Sequence, residues 1–148
     1  MGINIQNFFI SRDKKSKIAD FQDLDHLDGL SLSTTSAKLY GNNRDDLVLF
    51  YFRKGANYAS VYTQSKLISE NIKWNQNIKK NKIKALLVNT KNANAFTGKN
   101  GFKGIKVLAD DISYYLTEKQ KIDEDNPEKI NANDIIFAST GTIGEPFP

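Results

Sequence analysis

The sequence predicts an α/β fold: a mixed β-sheet with helices packed against it. Three observations carry this. Short apolar runs rich in β-branched and aromatic residues recur at residues 46–52 ("DLVLFYF"), 83–89 ("IKALLVN") and 134–139 ("DIIFAS"), each of strand length. Between the last two runs the period changes. Phe102, Ile105, Leu108 or Ala109, Ile112, and Tyr115 or Leu116 recur at three and four, the apolar stripe of a helix. A strand, a helical crossover and a second strand then predict a parallel pair.

Taken in order, residues 1–28 form an N-terminal extension, with a short strand or helix at residues 7–11 ("NFFIS"). Residues 29–40 alternate small and β-branched groups and suit a strand or two short ones. "GNNRDD" at 41–46 is a turn by composition. The run at 46–52 is apolar on both faces, so it reads as a doubly buried strand. "RKGAN" then turns tightly through Gly55 into a second strand at 58–63, predicting an antiparallel hairpin. Residues 65–80 take helical spacing, with Ser65 as N-cap and Trp74 as a packing residue. A polar loop fills 90–101, the helix 102–116, and a charged connector with helix-ending Pro127 fills 117–133. With 148 residues, no internal repeat and no linker, the chain reads as a single domain.

Composition removes several function classes. There is no cysteine, hence no disulfide, thiolate metal site or cysteine nucleophile. The single histidine, His26, leaves no room for a multi-histidine metal site, and it reads as a surface or capping residue. No metal and no cofactor are expected. The net charge of +4 comes mostly from lysines spread along the chain, without a nucleic-acid-binding signature, so nucleic acid is not the expected partner. No apolar stretch reaches the ~18 residues of a membrane span. Gln6 stands where a myristoylation signal wants Ser or Thr, and a secretory apolar region is absent from the start, so the expected location is cytoplasmic.

Two polar clusters occupy equivalent places. "NTKNANAFTG" follows the carboxyl end of the strand at 83–89, and "STGTIG" follows the carboxyl end of the strand at 134–139. Parallel, adjacent strands would set both loops on one rim, where open α/β sheets bind ligands. Gly141 permits a sharp turn that leaves N–H groups unpaired, and Thr140 adds a hydroxyl beside them. Converging donors of this kind suit an anion or an oxyanion. The alternative is a plain turn whose hydroxyls cap the next segment. Asn89, Asn92 and Asn94, beside Thr97 and Gly98, either close turns on their own backbone or form a network holding the neighbouring loop.

The blocks "DDLVLFYFRKGANYASVYTQSK", "IKALLVNTKNANAFTGKNG" and "DIIFASTGTIGEPFP" resemble, in order, three blocks of the ornithine acetyltransferase family, also called glutamate N-acetyltransferase or the bifunctional arginine-biosynthesis enzyme. The resemblance covers residues 29–148 and leaves 1–28 unassigned. Thr90 and Lys91 stand where the family usually has Ser-Gly, Thr142 where it has Val, Tyr62 where Phe is common and Ser60 where Gly is common. The resemblance implies the N-terminal part of an N-terminal-nucleophile-type ornithine acetyltransferase fold. It implies a precursor that cuts itself into α and β chains, the new N-terminal threonine of the β chain being the nucleophile. That threonine takes acetyl from N-acetylornithine and passes it to glutamate, and its own amine serves as base. Thr140 and Gly141 match the family's oxyanion hole. The nucleophile lies downstream in the family, so the expectation is a truncated α-chain part that is inactive alone and whose partner is the β chain of the same precursor. Exposed apolar surface would also favour self-association, and a self-associating module derived from this family is the alternative reading.

Overall fold

The computed structural model describes residues 26–147. The short element expected at residues 7–11 lies outside them. Four strands form one mixed sheet in the order β1 (Leu30–Thr35), β2 (Leu47–Asn57), β3 (Lys82–Asn89), β4 (Ile135–Ser139). The pairs β1–β2 and β2–β3 are antiparallel, and β3–β4 is parallel. Helix α1 (Glu70–Asn77) precedes β3, and α2 (Gly98–Asp123) makes the crossover to β4 through a 3₁₀ turn at Ala132–Asp134.

Both helices pack on the side of the sheet that carries Tyr51, Ala85, Ile135 and Phe137. These residues join Trp74, Ile105, Ala109 and Leu116 in one buried cluster. Ile105 is fully buried, which contributes about 1.5–3 kcal/mol relative to exposure. The buried stripe of α2 runs Gly101, Ile105, Ala109, Ser113, Leu116, Gln120. The helix therefore extends well past the expected 102–116 and absorbs the first part of the charged connector. Leu116 faces the core, whereas Tyr115 is exposed. Trp74 is a packing residue as expected. Its ring lies 6.0 Å from Phe102 and 6.1 Å from Phe137, and its Nε1–H donates to the Ile135 carbonyl at 2.9 Å.

Two local expectations need correction. There is no hairpin at Gly55: β2 runs on to Asn57 with a bulge between Tyr51 and Ala56, and residues 58–63 are not a strand. Gly55 takes φ +77 because the backbone there passes against β3, where a Cβ would lie 3.2 Å from the Ile83 carbonyl. The first helix is shorter than 65–80, and its N-cap is Ser69, not Ser65. Ser69 Oγ accepts from the Ile72 N–H, while Ser65 Oγ instead accepts from the Leu67 N–H in a local turn.

Helix α1 also covers the free edge of β4. Asn75 Nδ2 donates to the Phe137 carbonyl at 2.8 Å, and Asn75 Oδ1 accepts from the Phe137 N–H at 3.1 Å. One side-chain amide thus takes the place of a neighbouring strand's peptide group, which removes an open edge. Among the described residues no helix is long and apolar enough to cross a membrane, and no group of acidic or histidine side chains could hold a metal ion. His26 is an exposed residue whose Nδ1 lies 3.6 Å from Asp28.

Candidate functional site

The two polar loops lie side by side at the carboxyl ends of β3 and β4, as the parallel arrangement predicts. Pairing continues beyond the strands. The Thr140 N–H donates to the Asn89 carbonyl (3.1 Å), the Thr142 N–H to the Lys91 carbonyl (2.7 Å), the Ala93 N–H to the Thr142 carbonyl (3.1 Å) and the Gly144 N–H to the Ala95 carbonyl (2.8 Å). Asn92 and Thr142 form a parallel bridge. The turn at 140–144 is therefore held against its neighbour for its whole length.

Gly141 is indispensable to that contact. Its φ is +142, and a Cβ there would lie 2.0 Å from both the carbonyl carbon and oxygen of Lys91. Only a residue without a side chain lets the two backbones meet. The Thr140 N–H is spent on Asn89. Among the described residues the Thr140 hydroxyl and the Gly141 N–H take no protein partner, and both residues are exposed. A side-chain O–H and a backbone N–H on consecutive residues are what remains to meet a ligand oxygen.

The three asparagines are a network, not isolated turn closers. Asn89 Nδ2 donates to the Thr90 carbonyl (3.1 Å) and the Asn92 carbonyl (2.9 Å), while its Oδ1 accepts from Ser139 Oγ. Asn92 Oδ1 accepts from the Asn94 N–H (2.7 Å), and its Nδ2 donates to the carbonyls of Glu145 (3.0 Å) and Pro146 (2.9 Å). Asn94 is fully buried with φ +48. Its Oδ1 accepts from Thr97 Oγ1 at 2.6 Å, and its carbonyl accepts from the Glu70 N–H at 2.9 Å, which ties the loop to the first turn of α1. Thr97 precedes α2, and Gly98 is its first residue, so the helix begins four residues earlier than the expected 102 and takes in the end of the expected loop. These polar groups are buried and almost all partnered, which fixes the loop rigidly.

Several contributors escape a reading of the sequence. Buried Asp46, which the sequence places only at the junction of a turn and a strand, accepts from the N–H groups of Ala37 (2.7 Å) and Leu39 (2.8 Å), and its carbonyl accepts from the Thr90 N–H (2.9 Å). Gly101 leaves room for the Asn94–Thr97 pair, since a Cβ would lie 2.3 Å from Asn94 Oδ1. Lys91 carries φ +72, a left-handed conformation, and its ammonium pairs with Glu145 at 2.7 Å.

Fold and site together define an α/β protein with an asparagine-braced Thr-Gly turn at the carboxyl rim of its parallel strand pair. The sequence model of the ArgJ family matches residues 31–148, and the chain belongs to that family. It is 33% identical over 127 residues to the arginine biosynthesis bifunctional protein ArgJ of Zymomonas mobilis, covering 85% of this chain and 28% of that protein. It is 34% identical over 126 residues to the ArgJ protein of Bradyrhizobium diazoefficiens, covering 84% and 28%. The chain thus spans little more than a quarter of the length of these relatives. Its fold is similar to the crystal structure of the Mycobacterium tuberculosis ornithine acetyltransferase in complex with ornithine, with a TM-score of 0.73 at 23% identity over 82% of this chain and 60% of that one. The ArgJ structure from Bacillus halodurans superposes with a TM-score of 0.63 at 25% identity, covering 82% and 58%.

Proposed function

We propose that this chain supplies the oxyanion-binding part of an arginine-biosynthesis acetyltransferase that moves acetyl from N-acetylornithine to glutamate. The observation that carries the reading is a pair of donors without a partner among the described residues, the Thr140 hydroxyl and the Gly141 N–H, on a turn whose place is fixed by backbone contact at Gly141. Attack on the acetyl carbonyl turns its oxygen into an alkoxide. Two preorganised donors stabilise that charge more than they stabilise the neutral carbonyl, which lowers the barrier. In this reading the attacking group is a threonine from the sequence that follows this segment in the family, exposed as the N-terminus of a β chain by self-cleavage. Residues 1–148 alone then transfer no acetyl, and a biosynthetic role places the protein in the cytoplasm.

The test is a chimera that continues residues 1–148 with the downstream part of the Zymomonas mobilis relative. Thr140→Ala should lower kcat by ~10²–10³-fold with little change in KM, the signature of a donor used in the transition state. Cleavage is checked separately by mass spectrometry. A cleaved, folded Thr140→Ala chimera with unchanged kcat would mean that the turn is only structural.

The side of the sheet that no helix covers among the described residues favours a partner as well. Leu32 pairs with Phe50, Phe50 with Leu86, and Val48 with Val88, and none of these residues belongs to the buried cluster. Leu32 is 61% exposed. This face is assigned to the β chain in the complete enzyme and to a second copy when residues 1–148 stand alone. Light scattering should show a dimer or larger assembly, and a monomer at high concentration would count against it.

A further inference from the structure

We propose that Asn71 and Ser139 are positioning residues for the Thr140–Gly141 turn, joined to Asn89 in a one-way relay of hydrogen bonds. The inference rests on the oxyanion reading above and extends it to a helix that carries no part of the turn.

Ser139 immediately precedes Thr140 and ends β4. Its hydroxyl donates to Asn89 Oδ1 and accepts from Asn71 Nδ2. A serine has one proton to give, and it is given to Asn89, so the group on α1 has to be a donor. Asn89 in turn has every polar side-chain atom engaged, and its carbonyl receives the Thr140 N–H. The path therefore leads from Asn71 through Ser139 and Asn89 to the backbone of Thr140. The first turn of α1 braces the other loop too, through the Glu70 N–H bond to the Asn94 carbonyl.

One atom shows that this is more than edge protection. Asn75, one turn later, uses both its oxygen and its nitrogen on Phe137. Asn71 is 2% exposed, yet among the described residues its Oδ1 has no partner. A buried unsatisfied acceptor costs stability, and an apolar side chain of similar volume would avoid that cost. What Asn71 offers that leucine does not is the donor to Ser139. Asn71→Asp keeps the shape and removes that donor. The Ser139 proton then turns toward the carboxylate and leaves Asn89, which uncouples β4 from the loop that holds Thr140.

The relay is tested in the 148-residue chain by amide hydrogen exchange, with global stability read from urea unfolding. In Asn71→Asp and Ser139→Ala the Thr140 amide should exchange about tenfold faster than any change in the Phe137 amide accounts for, whereas Ser139→Thr, which keeps the hydroxyl, should restore protection. In the chimera Asn71→Asp should lower kcat about tenfold with KM within about twofold. Thr140 exchange that rises only in step with Phe137, or a Ser139→Ala chain that behaves as Ser139→Thr, overturns the relay. Exchange requires no acetyl transfer, so the two readings fail separately. Full turnover in Thr140→Ala removes the oxyanion role and leaves the relay standing, and unchanged exchange removes the relay and leaves the oxyanion role.

Discussion

Gly141→Ala should be among the most destabilising single-atom additions available in this chain. The added Cβ would sit 2.0 Å from the carbonyl carbon and oxygen of Lys91 and 2.6 Å from the Asn92 nitrogen, all backbone atoms that no rotamer can move aside. Restoring a contact of at least 3.0 Å moves the turn by about 1 Å, enough to break the 2.7 Å bond from the Thr142 N–H to the Lys91 carbonyl and the 3.1 Å bond from the Ala93 N–H to the Thr142 carbonyl. Two such bonds are worth about 1 kcal/mol each, and a non-glycine residue at φ +142 adds about 1–3 kcal/mol of strain, so the expected loss is roughly 3–5 kcal/mol. Gly144→Ala is the internal control. It also has positive φ, +79, but a Cβ there meets nothing within 4 Å, so only the left-handed penalty of about 1–2 kcal/mol applies. Trp74, the only tryptophan and a buried one, reports urea unfolding by its fluorescence. A Gly141→Ala chain within 1 kcal/mol of Gly144→Ala, at unchanged denaturant slope, would refute the close-contact argument.

Other substitutions should behave as follows. Lys91→Gly removes a left-handed penalty of about 1–2 kcal/mol and gives up a half-exposed ion pair worth at most about 1 kcal/mol, so stability to urea should rise slightly, and more so in high salt. Asn75→Ala strips both bonds from Phe137 and should cost about 2–4 kcal/mol, with increased light scattering from the opened β4 edge. Burial pushes the Asp134 carboxyl upward, but the Lys80 ammonium at 2.5 Å and the Asn131 N–H at 2.8 Å outweigh it and hold its pKa below the usual value. A lowered folded-state pKa gives stability that is present above the unfolded pKa and lost as pH falls through the folded one. Urea midpoints should therefore fall on acidification, and Asp134→Asn should flatten that slope.

The parts of the fold that could be read from the sequence are those fixed by local pattern. Strands β3 and β4 and the core stripe of α2 follow from apolar periodicity, and the parallel pairing follows from the crossover. The failures have one cause, which is that partners distant in sequence decide the local geometry. Gly55 looked like a turn because a glycine between two apolar runs serves a hairpin equally well, but here β3 passes beside it and the glycine becomes a bulge. Ser65 and Ser69 are equivalent as caps on paper, and the bond from the Glu70 N–H to Asn94 fixes where α1 begins. The continuous apolar character of the run at 46–52 predicts burial on both faces, yet the described residues cover only the Tyr51 side with helices.

At the site, the legible feature was the Thr-Gly turn and the illegible one was why its glycine is required. That requirement is set fifty residues away, by the carbonyl of Lys91. The Thr142 N–H bonds to that carbonyl, and the neighbouring Asn92 N–H bonds back to the Thr90 carbonyl at 3.0 Å, so residue 91 is pinned from both sides into φ +72. The resemblance places a glycine at position 91, which would occupy this conformation freely. A lysine occupies it here at a cost, and the loop does not rearrange to relieve the strain, because doing so would release Thr142 and pull the Lys91 carbonyl away from Gly141. The two polar motifs therefore form one structural unit. The left-handed residue in the first loop presents the carbonyl, the side-chain-free residue in the second lets the backbone reach it, and the Thr140 hydroxyl and Gly141 N–H, without a partner among the described residues, are held in place by that contact rather than by the turn alone.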